Sequence, residues 1–189
     1  MTGSRRAAVL TAALLALVAL LSGCAPGARS APAGGGAPPS TARLGTTPSP
    51  SLPAGVDTTV ERVVDGDTLV VAGGRPVRLI GVDTPETKDP RRPVQCFGQE
   101  ASAFLVSLLA QGSAVRLVGD VEPRDHYGRT LAYVYRLPDG LFVNAELLRQ
   151  GFAQVLTVPP NVAHAETFAT LGREAREAGA GLWSACDGS

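Results

Sequence analysis

The chain is poor in the residues that build several common kinds of functional site. Its 189 residues include two His and three Cys, dispersed along the sequence. No cluster with zinc-ligand spacing exists, which excludes a zinc centre. Aromatic residues make up 5% of the chain, too few to argue for a stacking platform that tracks single strands. Positive charge is lacking as well. The formal net charge is zero, and residues 56–186 carry 13 Arg or Lys against 16 Asp or Glu. A general nucleic-acid-binding surface is basic. Any phosphate recognition here therefore has to be local, or has to use a bound cation. Long apolar runs are also missing. The longest, Ala7 to Leu21, has 15 residues and is broken only by Thr11, short of the roughly 20 that a spanning helix needs. There is no internal repeat.

That short run has another reading. Arg5 and Arg6 precede it as a charged start, the pattern of a secretory signal over residues 1–23. It closes on Leu21-Ser22-Gly23-Cys24, which resembles the bacterial lipobox, whose Cys becomes the lipidated first residue of the mature protein. The expectation is an exported protein, either a cell-surface lipoprotein whose only membrane contact is a lipid on Cys24, or an extracellular protein cut from an ordinary signal with Cys24 incidental. From Ala25 to Gly55, 27 of 31 residues are Ala, Gly, Pro, Ser or Thr. With Leu44 and Leu52 as the only large apolar residues, this stretch cannot offset its own ordering entropy. Residues 24–55 thus read as a disordered Pro/Gly/Ala-rich tether, spanning on the order of 30 Å as a coil. Residues 56–186 remain as one domain, long enough for a hydrophobic core. If Cys24 is lipidated, Cys96 and Cys186 are left over, and in an exported protein such a pair suggests a disulfide. Two buried thiols are the alternative.

Within the domain, Thr58 to Val64 reads as a strand, Asp65-Gly66-Asp67 as a turn, and Thr68 to Ala72 as a second strand. Gly73-Gly74 signals a hairpin into a third strand, Pro76 to Val82. A polar loop follows, made locally basic by Lys88, Arg91 and Arg92. Gln99 to Gln111 is a helix, with Ala101, Phe104, Leu105, Leu108 and Leu109 on one apolar face. Ala114 to Val118 and Arg129 to Arg136 are the fourth and fifth strands, joined by the charged turn Glu122 to Gly128. Asn144 can cap a short helix, Ala145 to Gln150, and Asn161 can cap a final one, Val162 to Ala178. Five strands with a helix between the third and fourth match the OB-type barrel order. The predicted fold class is α+β, a five-stranded OB-fold β-barrel with three α-helices.

Three clusters carry possible chemistry. Asp65-Gly66-Asp67 places two carboxylates at i and i+2, though Asp-Gly is also an ordinary turn. Arg78 is followed by Asp83-Thr84-Pro85-Glu86, which on its own can simply begin a loop. Asp125-His126-Tyr127-Gly128-Arg129 can be an ordinary charged turn. Taken together they are more specific. Asp67, Asp83 and the Thr84 carbonyl are hard oxygen donors of the kind that suits Ca²⁺. Arg78 and Arg129 can grip phosphate oxygens bidentately and stabilise charge on a five-coordinate phosphorus. Glu86 remains to position or deprotonate a water.

Asp65-Gly-Asp-Thr68, Arg78-Leu-Ile-Gly-Val-Asp-Thr-Pro-Glu-Thr87, Phe97-Gly-Gln-Glu-Ala-Ser-Ala-Phe104, Tyr127-Gly-Arg-Thr-Leu-Ala-Tyr133 and Asn144-Ala-Glu-Leu-Leu-Arg-Gln-Gly151 stand in order along residues 56–183. This array resembles the staphylococcal nuclease (thermonuclease) family. The resemblance implies an OB-fold barrel with three helices. It also implies a monomeric, Ca²⁺-dependent nuclease acting on DNA and RNA to leave 3′-phosphate and 5′-hydroxyl ends. By position it implies Asp67, Asp83 and the Thr84 carbonyl as metal ligands, with Asp65 and Glu86 in the outer shell. Arg78 and Arg129 become the phosphate-binding arginines and Glu86 the general base. Tyr127, Arg91 and Arg92 are weaker candidates for substrate contact. The chain departs from the staphylococcal enzyme where that enzyme lines its nucleotide pocket with two tyrosines. Thr157 and Pro159 are expected there, and His126 replaces a Lys. Weaker base stacking follows, and the slightly acidic domain implies a shallower salt dependence of binding. The alternative function is a non-catalytic OB-fold module that binds nucleic acid or protein. It gives no reason for Asp67, Asp83, Glu86, Arg78 and Arg129 to coexist.

Overall fold

The computed structural model describes residues 51–88, 93–137 and 139–186. The expected signal, Cys24, the tether up to residue 50, and Arg91 and Arg92 lie outside the described residues. Leu52 packs against the hydrophobic core, and the Pro53 carbonyl accepts a bond from Arg116. The last residues assigned to the tether therefore belong to the fold, a few positions before the boundary at 56.

Five strands close a barrel: β1 (Val56–Asp65), β2 (Thr68–Val71), β3 (Arg75–Leu79), β5 (Ala114–Val118) and β6 (Thr130–Arg136), in the order β1-β2-β3-β6-β5. β1 serves two neighbours. Its first half pairs with β5 and its second with β2, and two register irregularities at Val60–Arg62 and Val63–Asp65 bend it between them. Such bulges turn barrel corners. β2 and β3 form the hairpin expected from Gly73-Gly74. Both glycines take positive φ, and both N–H groups donate to the Glu61 carboxylate. β3 and β6 close the barrel as a parallel pair. The interior is filled by alternate residues such as Val60, Leu69, Val71, Val77, Leu79, Val115 and Val134, all at most 2% exposed.

The strand expected over Pro76–Val82 is two strands. β3 ends at Leu79, and β4 (Gly81–Asp83) leaves the barrel to pair with β7 (Gln154–Leu156). Gly81 is the reason. Its φ is 80°, and a Cβ there would sit 2.4 Å from the Phe168 ring. Only glycine meets both conditions. This break redirects the chain so that Asp83, five residues after Arg78, can return to it.

Helix α1 (Gly98–Leu108) buries Ala101 and Leu105 and passes Leu109 into the core, the face that periodicity predicts. α2 (Val143–Arg149) begins before the expected cap. Asn144 lies inside its first turn, fully buried, and bonds to strands instead of capping. α3 (Ala165–Glu177) starts later than the expected Val162 because the preceding residues are engaged elsewhere. The Asn161 amide forms a reciprocal pair with the Glu122 backbone, and the Ala163 N–H donates to Asp120. A fourth helix of one turn, α4 (Leu182–Ala185), was not expected from the sequence. His164, for which the sequence offers no partner, packs edge-on against Tyr133 and Phe142. Among the described residues no helix is long and apolar enough to cross a membrane.

Candidate active site

Four carboxylates stand close enough to feel one another's charge where the β1–β2 turn faces the end of β4. Asp65 closes β1, Asp67 follows in the turn, Asp83 closes β4, and Glu86 follows it. Gly66 makes the approach possible. A Cβ on it would lie 2.7–2.8 Å from three side-chain atoms of Thr84. The close fit lets the Thr84 N–H and hydroxyl both donate to Asp67 Oδ2, at 3.0 and 3.2 Å. Thr68 donates to the other oxygen of Asp67 at 3.0 Å. The Asp67 carboxylate is thereby oriented from both sides in a buried position.

Arg78 enters from β3. Its guanidinium lies 2.9 Å from Asp67 Oδ2 and 2.9 Å from Asp83 Oδ1, with 13% of the side chain exposed. It also donates to the carbonyls of Val82 at 2.8 Å and Leu79 at 3.3 Å. The kink at Gly81 supplies both the Val82 carbonyl and Asp83. This one cation does not balance the cluster. Burial, then the Asp67 charge, then that of Glu86, push the Asp65 carboxyl up to about 6, although a hydrogen bond from the Asp67 N–H opposes them. Burial also raises Asp83. Arg78 works against that shift, while Asp67 and Glu86 reinforce it.

The excess of negative charge in a set of hard oxygen donors fits a hard divalent cation. Among the described residues no three acidic, His or Cys side chains are already gathered around one point, because the Arg78 guanidinium stands between Asp67 and Asp83.

Arg129 opens on the other wall. Arg78 and Arg129 line one pocket of about 400 Å³. Asp125 holds Arg129, its Oδ2 accepting from Nε at 2.6 Å while its Oδ1 accepts from the Arg129 backbone N–H at 2.9 Å. Burial raises the Asp125 pKa, but the bonds from Arg129 outweigh it and hold the carboxyl below the usual range. Arg129 also lies over the Tyr127 ring, 5.3 Å from its centroid, and Tyr127 is 73% exposed.

The apolar wall of the pocket is made by Leu156, the last residue of β7, and Val158. His126 does line the pocket. The sequence marks Asp125 only as part of a charged turn and Asn161 only as a helix cap, and neither as a support of the site. The spacing of Asp125 four residues before an Arg was a usable signal. Asn161 was not legible, because its partner lies 39 residues away.

The model of the family described as staphylococcal nuclease homologue matches residues 76–185. The chain belongs to the staphylococcal nuclease family. It is accordingly a nuclease, a hydrolase with an OB-type barrel. Among known proteins it is 43% identical over 127 residues to the thermonuclease of Staphylococcus intermedius, covering 66% of this chain and 74% of that one. It is 41% identical over 128 residues to the thermonuclease of Staphylococcus hyicus, with the same coverage. Against endonuclease YncB of Bacillus subtilis the identity is 38% over 146 residues, 75% of this chain and 68% of the relative.

Proposed function

We propose that the protein is an exported, Ca²⁺-dependent nuclease that hydrolyses phosphodiester bonds of DNA and RNA to 3′-phosphate and 5′-hydroxyl ends. It acts as a monomer, and its only membrane attachment is a lipid on Cys24. The observation that carries the reading is the pairing of Arg78 with Asp67 and Asp83, each at 2.9 Å, on the edge of a pocket shared with Arg129.

In this reading Asp67, Asp83 and the Thr84 carbonyl hold the cation, with Asp65 close behind. When bound there, Ca²⁺ would supply fixed positive charge beside the carboxylates and Lewis acidity toward a phosphoryl oxygen. Arg78 and Arg129 bind the nonbridging oxygens of one phosphodiester and stabilise the charge that accumulates on five-coordinate phosphorus. Glu86 holds the attacking water and takes its proton. The P–O5′ bond breaks opposite the water, and the departing 5′ oxygen takes a proton from solvent to give the 5′-hydroxyl end. The adjacent pocket, aliphatic at Leu156 and Val158, receives the neighbouring nucleoside by shape and by the exposed Tyr127 ring.

Purified protein should digest DNA at millimolar Ca²⁺ and stop when a chelator is added, and the product ends should carry 3′-phosphate. A folded protein that stays inactive across alkaline pH would hand the case to the non-catalytic binding module. Glu86→Gln should lower kcat by about a hundredfold or more with the fold kept. Near-normal turnover would remove Glu86 from the role of base.

A further inference from the structure

Four consecutive residues next to the cluster, Gln95 to Gly98, each make an unusual commitment. Gln95 clamps the Glu86 backbone from both sides. Its side-chain oxygen accepts from the Glu86 N–H at 2.7 Å, and its own N–H donates to the Glu86 carbonyl at 3.0 Å. Cys96 is joined to Cys186, 90 residues later, with the two Cα atoms 6.0 Å apart. Phe97 is the only described non-glycine residue at positive φ, 66°, and its ring packs 5.2 Å from that of Phe152. Gly98 meets the Glu86 segment so tightly that a Cβ would lie 2.7 Å from Thr87 and 3.0 Å from the Pro85 carbonyl. The far end of the bridge is anchored as well. The Leu182 N–H at the start of α4 donates to the Gly151 carbonyl at 2.9 Å, where Gly181 admits no side chain.

We infer that Gln95 and the Cys96–Cys186 bridge together form a positioning device for Glu86, so that turnover depends on a covalent link to the C-terminus. The inference rests on the reading of Glu86 as the base. A strained φ outside glycine persists only where its surroundings over-determine it, and here they do so beside the residue whose placement matters most. A general base has to stand within hydrogen-bond reach of its water, and misplacement by about 1 Å can cost on the order of a hundredfold in rate. Gln95 supplies the placement by hydrogen bonds. The bridge ties the residue next to Gln95 to the end of α4, which is itself anchored on the Gly151 carbonyl. Disulfides form in oxidising compartments and are rare in the cytosol. The same device therefore leaves the enzyme weakly active before export and fully active after it.

The test measures kcat and KM separately for four forms of the full protein. These are oxidised wild type, wild type treated with dithiothreitol, Cys96→Ser/Cys186→Ser and Gln95→Ala. Dithiothreitol gives two electrons and two protons to the bridge and closes to its own cyclic disulfide, leaving two thiols. At a temperature where circular dichroism shows each form folded, kcat should fall about tenfold or more in the last three with KM changed less than about twofold. Gln95→Glu keeps an acceptor oxygen at the same reach and should restore most of the Gln95→Ala loss. In a Glu86→Gln background, Gln95→Ala should add little, because a residue that acts through Glu86 has nothing left to position. An active wild type whose folded variants turn over normally overturns this proposal alone, as does a Gln95→Ala loss that adds in full to Glu86→Gln. If the doubly substituted form does not fold, the Gln95 series decides. An inactive wild type overturns the nuclease reading and this proposal with it.

Discussion

Asn144→Ala tests whether one buried amide holds the two halves of the cluster in register. Asn144 is fully buried in the first turn of α2. Its oxygen accepts from the Val134 N–H at 2.9 Å, and its nitrogen donates to the Ile80 carbonyl at 2.8 Å, with a longer bond to Ala132 at 3.5 Å. Ile80 is the link between β3, which carries Arg78, and β4, which carries Asp83. Alanine removes both good bonds and leaves a buried N–H and a buried C=O unpaired, each costing about 1–3 kcal/mol. Partial relaxation brings the expected loss to roughly 3 kcal/mol, or about 10–15 °C in Tm for a domain of this size. Urea unfolding followed by far-UV circular dichroism measures it. Asn144→Asp should do no better, since it keeps the acceptor, loses the donor and buries a charge. A loss below about 1 kcal/mol with an unchanged urea slope would refute the reasoning. It would mean that the strand backbones hold the junction at Ile80 without the side chain.

Two further perturbations probe the cluster directly. Gly66→Ala places a methyl 2.7–2.8 Å from the buried Thr84 side chain. It should destabilise by about 1–3 kcal/mol and weaken Ca²⁺ binding, as read by isothermal titration, and unchanged affinity would show that Thr84 yields freely. Without metal, the Asp65 contribution to stability should rise as pH falls from above 6 towards 4, against an opposite contribution from His164, whose burial lowers its pKa, so that wild type is compared with Asp65→Asn. The Asp65 carboxyl is pushed up to about 6 in the folded protein and returns to the ordinary carboxylate range on unfolding, so the native state binds the proton first. Over the same window a divalent cation should bind more weakly, because proton and metal compete for the cluster. A difference between the two proteins that stays flat through that range would place the Asp65 shift in doubt.

What the sequence made legible was local. The amphipathic face of α1, the Gly73-Gly74 hairpin and the three motif clusters are all set by residues within a few positions of one another. The misses have physical causes of the opposite kind. The β3–β4 break depends on Phe168 lying over Gly81, a contact across 87 positions that no local pattern announces. Asn144 and Asn161 have the residue type and place of helix caps, yet tertiary partners outcompete the cap in both cases. The clamp on Glu86 could not be read at all, since Gln95 is an ordinary surface residue until the chain folds back on it.

The charge balance of the domain follows from how its arginines are held. Arg78 and Arg129 are each fixed by carboxylates before any substrate arrives, Arg78 by Asp67 and Asp83, Arg129 by Asp125. A free arginine loses up to about 2 kcal/mol of rotamer freedom when it grips a phosphate. Here much of that freedom is already lost in folding, and on the proposed function the two guanidinium groups are held in advance for the phosphate. The supporting acids cancel much of the long-range positive field, and the domain carries three more acids than bases. Such a protein gains little from electrostatic steering. On the function proposed above, recognition is short-range, through oriented donors, a pocket of fitting shape and a cation that would reverse the sign of the carboxylate cluster. An acidic domain and an arginine-based phosphate site are thus two consequences of the same preorganisation.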